Sequence, residues 1–201
     1  VSRRLGLNHQ DSYQFSALND LPKTPEGLQN FEFQLATIQK EASRLMARID
    51  ERLVHGQGAL WVKSLGVNTV IVANDEVSED HISQSLMKTA LSSSIAARFF
   101  SVQKVIDVIH KASPQQTIFL VVKDCQDALR LVEGGVPVKE YNIGNIHNAE
   151  GKEKITRSIF LGEEDKAALR KMVNDYNITF NTVTTPGGND GCAPVDIKKY
   201  L

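Results

Sequence analysis

Ten consecutive residues, Arg48-Ile49-Asp50-Glu51-Arg52-Leu53-Val54-His55-Gly56-Gln57, bring one imidazole, two guanidinium groups and a carboxylate together just ahead of a helical pattern. Those residue types suit the capture of a phosphoryl group. An imidazole, with an ordinary pKa of about 6.5, keeps an unprotonated nitrogen at neutral pH and can attack phosphorus, which makes His55 the candidate nucleophile. Guanidinium groups meet phosphate oxygens in bidentate fashion and keep their charge, so Arg52 is the first choice to neutralise the arriving group, with Arg48 at a strand end as the second. Asp50 repels phosphate and is expected instead to orient Arg52 or an imidazole N–H. The N–H groups around Gly56 and Gln57, at a helix start, would point their positive end at whatever the imidazole carries, and Gly56 lets the backbone come close. Plainer readings stand beside these: Arg52 as a surface arginine paired with Glu51, Arg48 as a structural ion pair, Asp50 as a turn former.

The other histidines carry less chemistry. His9, His81 and His110 read as surface or helix-end residues, whereas His147 falls in a loop after a strand and is expected near the site without a chemical role. There is no G-x-x-x-x-G-K-[ST] loop, no acidic cluster suited to Mg²⁺ and no C-x-x-C pair, so neither a metal nor another cofactor is expected. Cys125 and Cys192, far apart, read as incidental thiols. A net charge of -1 gives no general reason to expect nucleic acid as a partner. With no apolar run of about 20 residues and no signal-peptide layout, the chain is expected to be cytoplasmic.

The elements that must position the site follow from the patterning. From Arg48 onward, short β-rich runs alternate with helix-period segments, which predicts parallel strands joined by helical crossovers, an α/β fold. Leu60, Trp61 and Leu65 share a helical face that Gly66 ends; strands are expected at 69–73, 95–100, 117–122, 141–143, 155–161 and 178–183. Ser78 is read as an N-cap ahead of a buried stripe of Ile82, Leu86 and Met87. Ser101 heads a helix with Val102, Val105, Ile106 and Ile109 inside; Asp124 with Asp127 starts one ending at Gly134-Gly135; Ala167, Leu169, Met172 and Val173 mark another. Residues 1–45 are polar, contain a helix-like stretch from about Pro25 to Met46, and read as an N-terminal extension; 46–185 are the domain and 186–201 a flexible tail.

The ten-residue run closely resembles the active-site loop R-[IV]-D-x-R-[LFI]-[IV]-H-G-Q of the IIB components of the bacterial phosphotransferase system, in the mannose/fructose/sorbose family. The resemblance continues through Thr69–Asp75, Leu131–Pro137, Asn142-Ile143-Gly144-Asn145 and Ile155-Thr156, over roughly residues 46 to 185, and is greatest to the branch serving N-acetylgalactosamine and related amino sugars. It implies an open, mainly parallel central sheet with helices on both faces. It also implies a relay in which His55 takes a phosphoryl group on Nδ1 from the phosphohistidine of a IIA component and passes it to a sugar held by membrane IIC and IID components, with which the chain would associate peripherally. Ser101, at a helix N-terminus where the family places Ser or Thr beside the phosphohistidine, would donate to a phosphate oxygen, although capping alone explains it equally well. Two rival readings have other consequences. A histidine phosphatase or mutase carries arginine immediately before His-Gly, where Val54 stands here, and a regulatory module would keep the loop without transfer.

Overall fold

The computed structural model of the chain describes residues 45–188 and 193–201, together with Thr24. The chain divides into two units, Val1–Ser43 and Arg44–Leu201, and all the elements described belong to the second. The readings made of the helix-like stretch as far as residue 44, of His9 and of Cys192 lie outside the described residues.

In chain order the elements are β1 (Leu45–Asp50), α1 (Gly56–Leu65), β2 (Thr69–Ala73), α2 (Asp75–Glu79), α3 (His81–Thr89), β3 (Ala96–Phe100), α4 (Val102–Val108), β4 (Ile118–Val122), α5 (Cys125–Glu133), β5 (Glu140–Asn145), β6 (Glu153–Lys154), β7 (Phe160–Leu161), α6 (Glu163–Tyr176) and β8 (Thr179–Asn181). Six strands form one sheet in the order β3-β2-β4-β1-β5-β8, every pairing parallel. In β2 and β4 every residue is buried, as continuous apolar runs must be when helices cover both faces. Alternate residues serve two cores. Ala47, Ile49, Leu120, Val122 and Ile143 pack with α4, α5 and α6 on one face, whereas Val70, Val72, Phe119 and Val121 pack with Leu53, Val54, Val62 and Trp61 on the other.

This arrangement opens the site. The chain leaves β1 toward the face covered by α1, while β4 and β5, on either side, send α5 and α6 to the opposite face. Neighbouring strands whose connections part in this way leave a crevice at their carboxyl ends, and His55 follows the carboxyl end of β1.

Several expectations are corrected. Ser78 does not cap a long helix: Asn74 accepts the Val77 N–H to start α2, and Asp80 accepts the Ile82 and Ser83 N–H groups to start α3. In that frame Met87 packs inward as expected, together with Gln84, whereas Ile82 and Leu86 are 76% and 67% exposed and leave the expected stripe. Leu60 is exposed and Val62 takes its place in the core; in α6 Ala168 is buried where Ala167 was expected. Of the strand expected over 155–161 only β7, Phe160–Leu161, forms, paired antiparallel with β6 just before that stretch. Nor is the whole of 186–201 a free tail. Ile197 is buried in the first core, and the Val195 N–H donates to Thr182 Oγ1 at 2.8 Å.

The pairing of β1 with β5 contains a bulge: Ile49 opposes Ile143 but Asp50 opposes Asn145, so Gly144 is an extra residue. A Cβ at Gly144 would overlap the guanidinium of the buried Arg48. Gly144→Ala is therefore expected to destabilise the chain by about 2–3 kcal/mol through overpacking. Urea unfolding of the two proteins at neutral pH measures it, and an equally stable variant would show that Arg48 can move aside.

Candidate functional site

The site is built around the last residue of β1. Asp50 is fully buried, and its carboxylate receives five N–H groups from the two arginines: Arg48 Nε and Nη2 on Oδ2 at 3.2 and 2.8 Å, the Arg52 backbone N–H and Nε on Oδ1 at 3.1 Å each, and Arg52 Nη2 on Oδ2 at 3.3 Å. Burial alone would raise this carboxyl's pKa. The hydrogen bonds from Arg52, the charge and hydrogen bonds of Arg48 and the contact with His55 outweigh it and hold the group below its ordinary value. Arg48 is the other half of the pair. Burial lowers its pKa while Asp50 opposes that shift; Nη1 donates to Asn142 Oδ1, and its guanidinium lies 5.5 Å from the centre of the Trp61 ring. Asn142 is held in turn by its own Nδ2 donating to Val183 O at 2.8 Å, and Trp61 Nε1 donates to Thr184 O at 3.2 Å.

The loop after β1 turns tightly. The Leu53 N–H donates to Asp50 O at 2.8 Å, and Leu53 adopts φ 55°, a left-handed conformation that costs a non-glycine residue about 1–2 kcal/mol. Burial of Leu53 and Val54 in the second core offsets that cost and leaves Arg52 and His55 facing outward.

The neighbours of His55 assign its tautomer. Nε2 lies 3.2 Å from Asp50 Oδ2, an atom that only accepts, so Nε2 carries the proton. Nδ1 then holds a lone pair, and the Gln57 N–H, 3.4 Å away, points at it. His55 is the N-cap of α1, so Nδ1 faces the free amides of that helix's first turn, where an anion is favoured. A Cβ at Gly56 would touch nothing within 4 Å; no packing demands glycine there. Arg52, about one-third exposed, donates through Nη2 to Gln57 Oε1 at 3.1 Å, so it spans the carboxylate and the helix start. It does not pair with Glu51, which turns to His147 and Lys152.

His55, Arg52, Arg48, Asp50, Gly56 and Gln57 thus stand together, with Arg48 beneath the carboxylate. Ser101 does not join their hydrogen bonds. It follows β3, three positions along the sheet from β1, or about 14 Å at the usual strand spacing, and its Oγ accepts the Lys104 N–H as the cap of α4. Asp75 is likewise committed elsewhere, accepting the Val102 N–H and pairing with Arg130 at 2.9 Å each. Val54, where the phosphatase signature has arginine, is buried. Two contributors escaped the sequence reading, Asn142 and Gly144; their only signal was the Asn-Ile-Gly-Asn run, whose alternation puts both on the Arg48 side of β5. Among the described residues no helix is long and apolar enough to cross a membrane, and no group of His, Cys, Asp and Glu could hold a metal ion.

A family model described as "PTS system sorbose subfamily IIB component" matches residues 44–191. The chain belongs to that family. It is 50% identical over 129 residues, 64% of its length and 82% of the relative's, to the N-acetylgalactosamine-specific phosphotransferase enzyme IIB component 2 of Escherichia coli K12. Its fold matches the crystal structure of an N-acetyl-galactosamine IIB component from Streptococcus pyogenes at a TM-score of 0.76 and 64% identity, covering 78% of this chain and 97% of that one. The IIB domain of the sorbose permease from Klebsiella pneumoniae matches at a TM-score of 0.68 and 26% identity, over 77% and 94% of the two chains. Components of this family are phosphotransferases in sugar uptake and work with IIA and IIC/IID-type partners.

The depressed Asp50 carboxyl makes stability depend on pH. Its folded pKa lies below the unfolded value of about 3.9, so its contribution is complete above that pH and is lost as pH falls through the folded value. Asp50→Asn is expected to lower neutral-pH stability by about 3–5 kcal/mol, because it strips Arg48 of its counter-charge. The variant should also lose less on acidification below about pH 4. Urea titrations at stepped pH report both effects, and an acid limb identical to the wild type's would contradict the assignment.

Proposed function

We propose that His55 Nδ1 is the phosphoryl carrier of this IIB component, a reading supported above all by Asp50 holding the opposite ring nitrogen at 3.2 Å. In the first step the Nδ1 lone pair attacks phosphorus on the phosphohistidine of a IIA component. A new P–N bond forms as the donor's P–N bond breaks, and the electron pair returns to the donor ring. The second step runs the other way: a sugar hydroxyl oxygen attacks, the P–Nδ1 bond breaks with its pair returning to His55, and the hydroxyl proton is released to the medium.

Each group then has a physical task. Asp50 keeps the proton on Nε2 and the ring in place, acting through His55 as a positioning residue. Arg52 stabilises charge on the equatorial oxygens, moving from Gln57 Oε1 to the phosphoryl group, while the amides at Gly56 and Gln57 supply fixed donors. Arg48, buried and committed to Asp50 and Asn142, acts on the carboxylate rather than on phosphate. Ser101 serves as a helix cap. The sugar we assign is N-acetylgalactosamine or a related amino sugar, held by IIC and IID partners at the cytoplasmic face of the membrane; it is supported by the 50% and 64% identities to proteins named for N-acetylgalactosamine. We assign the transfer activity to the second unit, with residues 1–43 an extension.

Incubation with charged IIA protein followed by mass spectrometry should find one acid-labile adduct on the His55 ring. His55→Ala should abolish it, Arg52→Ala should slow its formation about 100-fold, and Ser101→Ala should change it less than tenfold. An adduct on another residue, or Arg52→Ala at the wild-type rate, would contradict these roles. Removal of residues 1–43 is expected to leave His55 labelling intact; its loss would show in the same assay that those residues complete the unit.

A further inference from the structure

Asp50 and Glu51 are consecutive carboxylates that face opposite ways. Asp50 turns into the His55 cluster, whereas Glu51 turns to the chain that follows β5. Glu51 Oε2 pairs with His147 Nδ1 at 2.7 Å, and Oε1 lies 3.5 Å from Lys152 Nζ. From His147 up to Lys152 the chain runs outside, residues 147–151 being all exposed. Both ends of an exposed loop therefore converge on one side chain.

The remaining bonds make this a strut. Lys152 Nζ also pairs with Asp165 Oδ2 at 3.1 Å, and that oxygen accepts the Gly162 N–H at 3.0 Å at the start of α6. On the other side the Glu51 N–H donates to Asn145 O at 3.0 Å, which extends the β1–β5 pairing up to the loop that carries His55. A contact to a side chain as exposed as His147, 58%, contributes little stability, so the use of the Glu51–His147 link lies in where it holds the loop. We propose that Glu51 is a positioning residue that fixes the 147–151 loop as a docking wall for the protein that donates the phosphoryl group. This rests on His55 being the carrier.

The geometry favours that use. β5 adjoins β1, so the loop stands at the same carboxyl edge of the sheet as His55. A donor protein must bring its phosphohistidine to about 3–3.5 Å from Nδ1 and in line with it, and so it must lie over the surface around that atom. A loop fixed in advance spares the cost of ordering it when the two proteins meet. A small phosphoryl donor reaches Nδ1 without touching the loop.

Two donors to the full chain separate the possibilities: charged IIA protein and phosphoramidate, whose P–N bond breaks to release ammonia as the bond to Nδ1 forms. Glu51→Gln is expected to raise KM for the IIA protein about tenfold (about 1.4 kcal/mol per decade) with kcat within twofold, while phosphoramidate labels it as fast as the wild type. His147→Gln, at a 58% exposed side chain and so no burden on folding, should raise the same KM severalfold, and the double variant should be no worse than Glu51→Gln alone. An unchanged KM in both variants, or an equal loss with both donors, would overturn the docking wall and leave the carrier reading standing. Failure of the charged IIA protein to label His55 in the wild-type chain would overturn the carrier reading, and the wall with it.

Discussion

The site depends on a carboxylate that has no contact with water. Asp50 is at the end of the strand with a parallel neighbour on each side, and a charge placed there costs several kcal/mol in lost hydration unless other groups replace the water. Two arginines and a histidine replace it, and each is thereby fixed in direction. Such buried pairs are weak evidence for stability, since well-packed apolar residues would often serve as well or better. What the pair supplies here is orientation: one carboxylate sets Arg52, the tautomer of His55 and, through Arg48, the side of β5 that must stay open. The bulge at Gly144 and the amide of Asn142 are consequences of giving that second guanidinium a place.

Much of the site was legible in the sequence because its chemistry is local. Asp50, Arg52, His55 and Gln57 lie within eight residues, and a tight turn between a strand and a helix suffices to bring them together. β2 and β4 were equally plain, since unbroken runs of β-branched and apolar residues fit little else at that length. The part supplied by β5 was not legible. Nothing in the letters Asn-Ile-Gly-Asn says that the glycine clears a guanidinium from another strand, because that depends on register and on which side the bulge falls. Ile82 and Leu86, expected in a buried stripe with Met87, failed for a different reason. Ser78 and Asp80 are both good caps, and choosing the wrong one turns an i, i+4 apolar pair from the core to the surface. Ser101 shows a third limit: a serine at a helix start is the same chemical object whether it caps the helix or holds a phosphate, and its letters do not separate the two.

The strand order also explains how the end of β1 is at once rigid and open. β1 lies in the interior of the sheet, yet its chain leaves toward one face while both neighbours leave toward the other. The carboxyl end of β1 is thus held rigidly from both sides and still opens outward. An imidazole set there has one nitrogen tied to the buried carboxylate and the other turned to the helix start, so a single ring joins a rigid anchor to an accessible reactive atom.

A relay makes a further demand that most nucleophiles do not face, since the group accepted must also be given up. A carboxylate alone against Nε2–H would push electron density into the ring, which helps Nδ1 attack phosphorus but makes it a poorer leaving group afterwards. Here that carboxylate is shared among two guanidinium groups and a backbone N–H, so less of its charge is spent on the ring. The helix amides act in the opposite sense, since they stabilise negative charge on the phosphoryl oxygens without binding the departing group covalently. On the proposed relay, balance between these influences, rather than the strength of any one of them, would let the same nitrogen serve as acceptor in one step and as leaving group in the next. Arg48, committed to Asp50, would take part in that balance through the carboxylate.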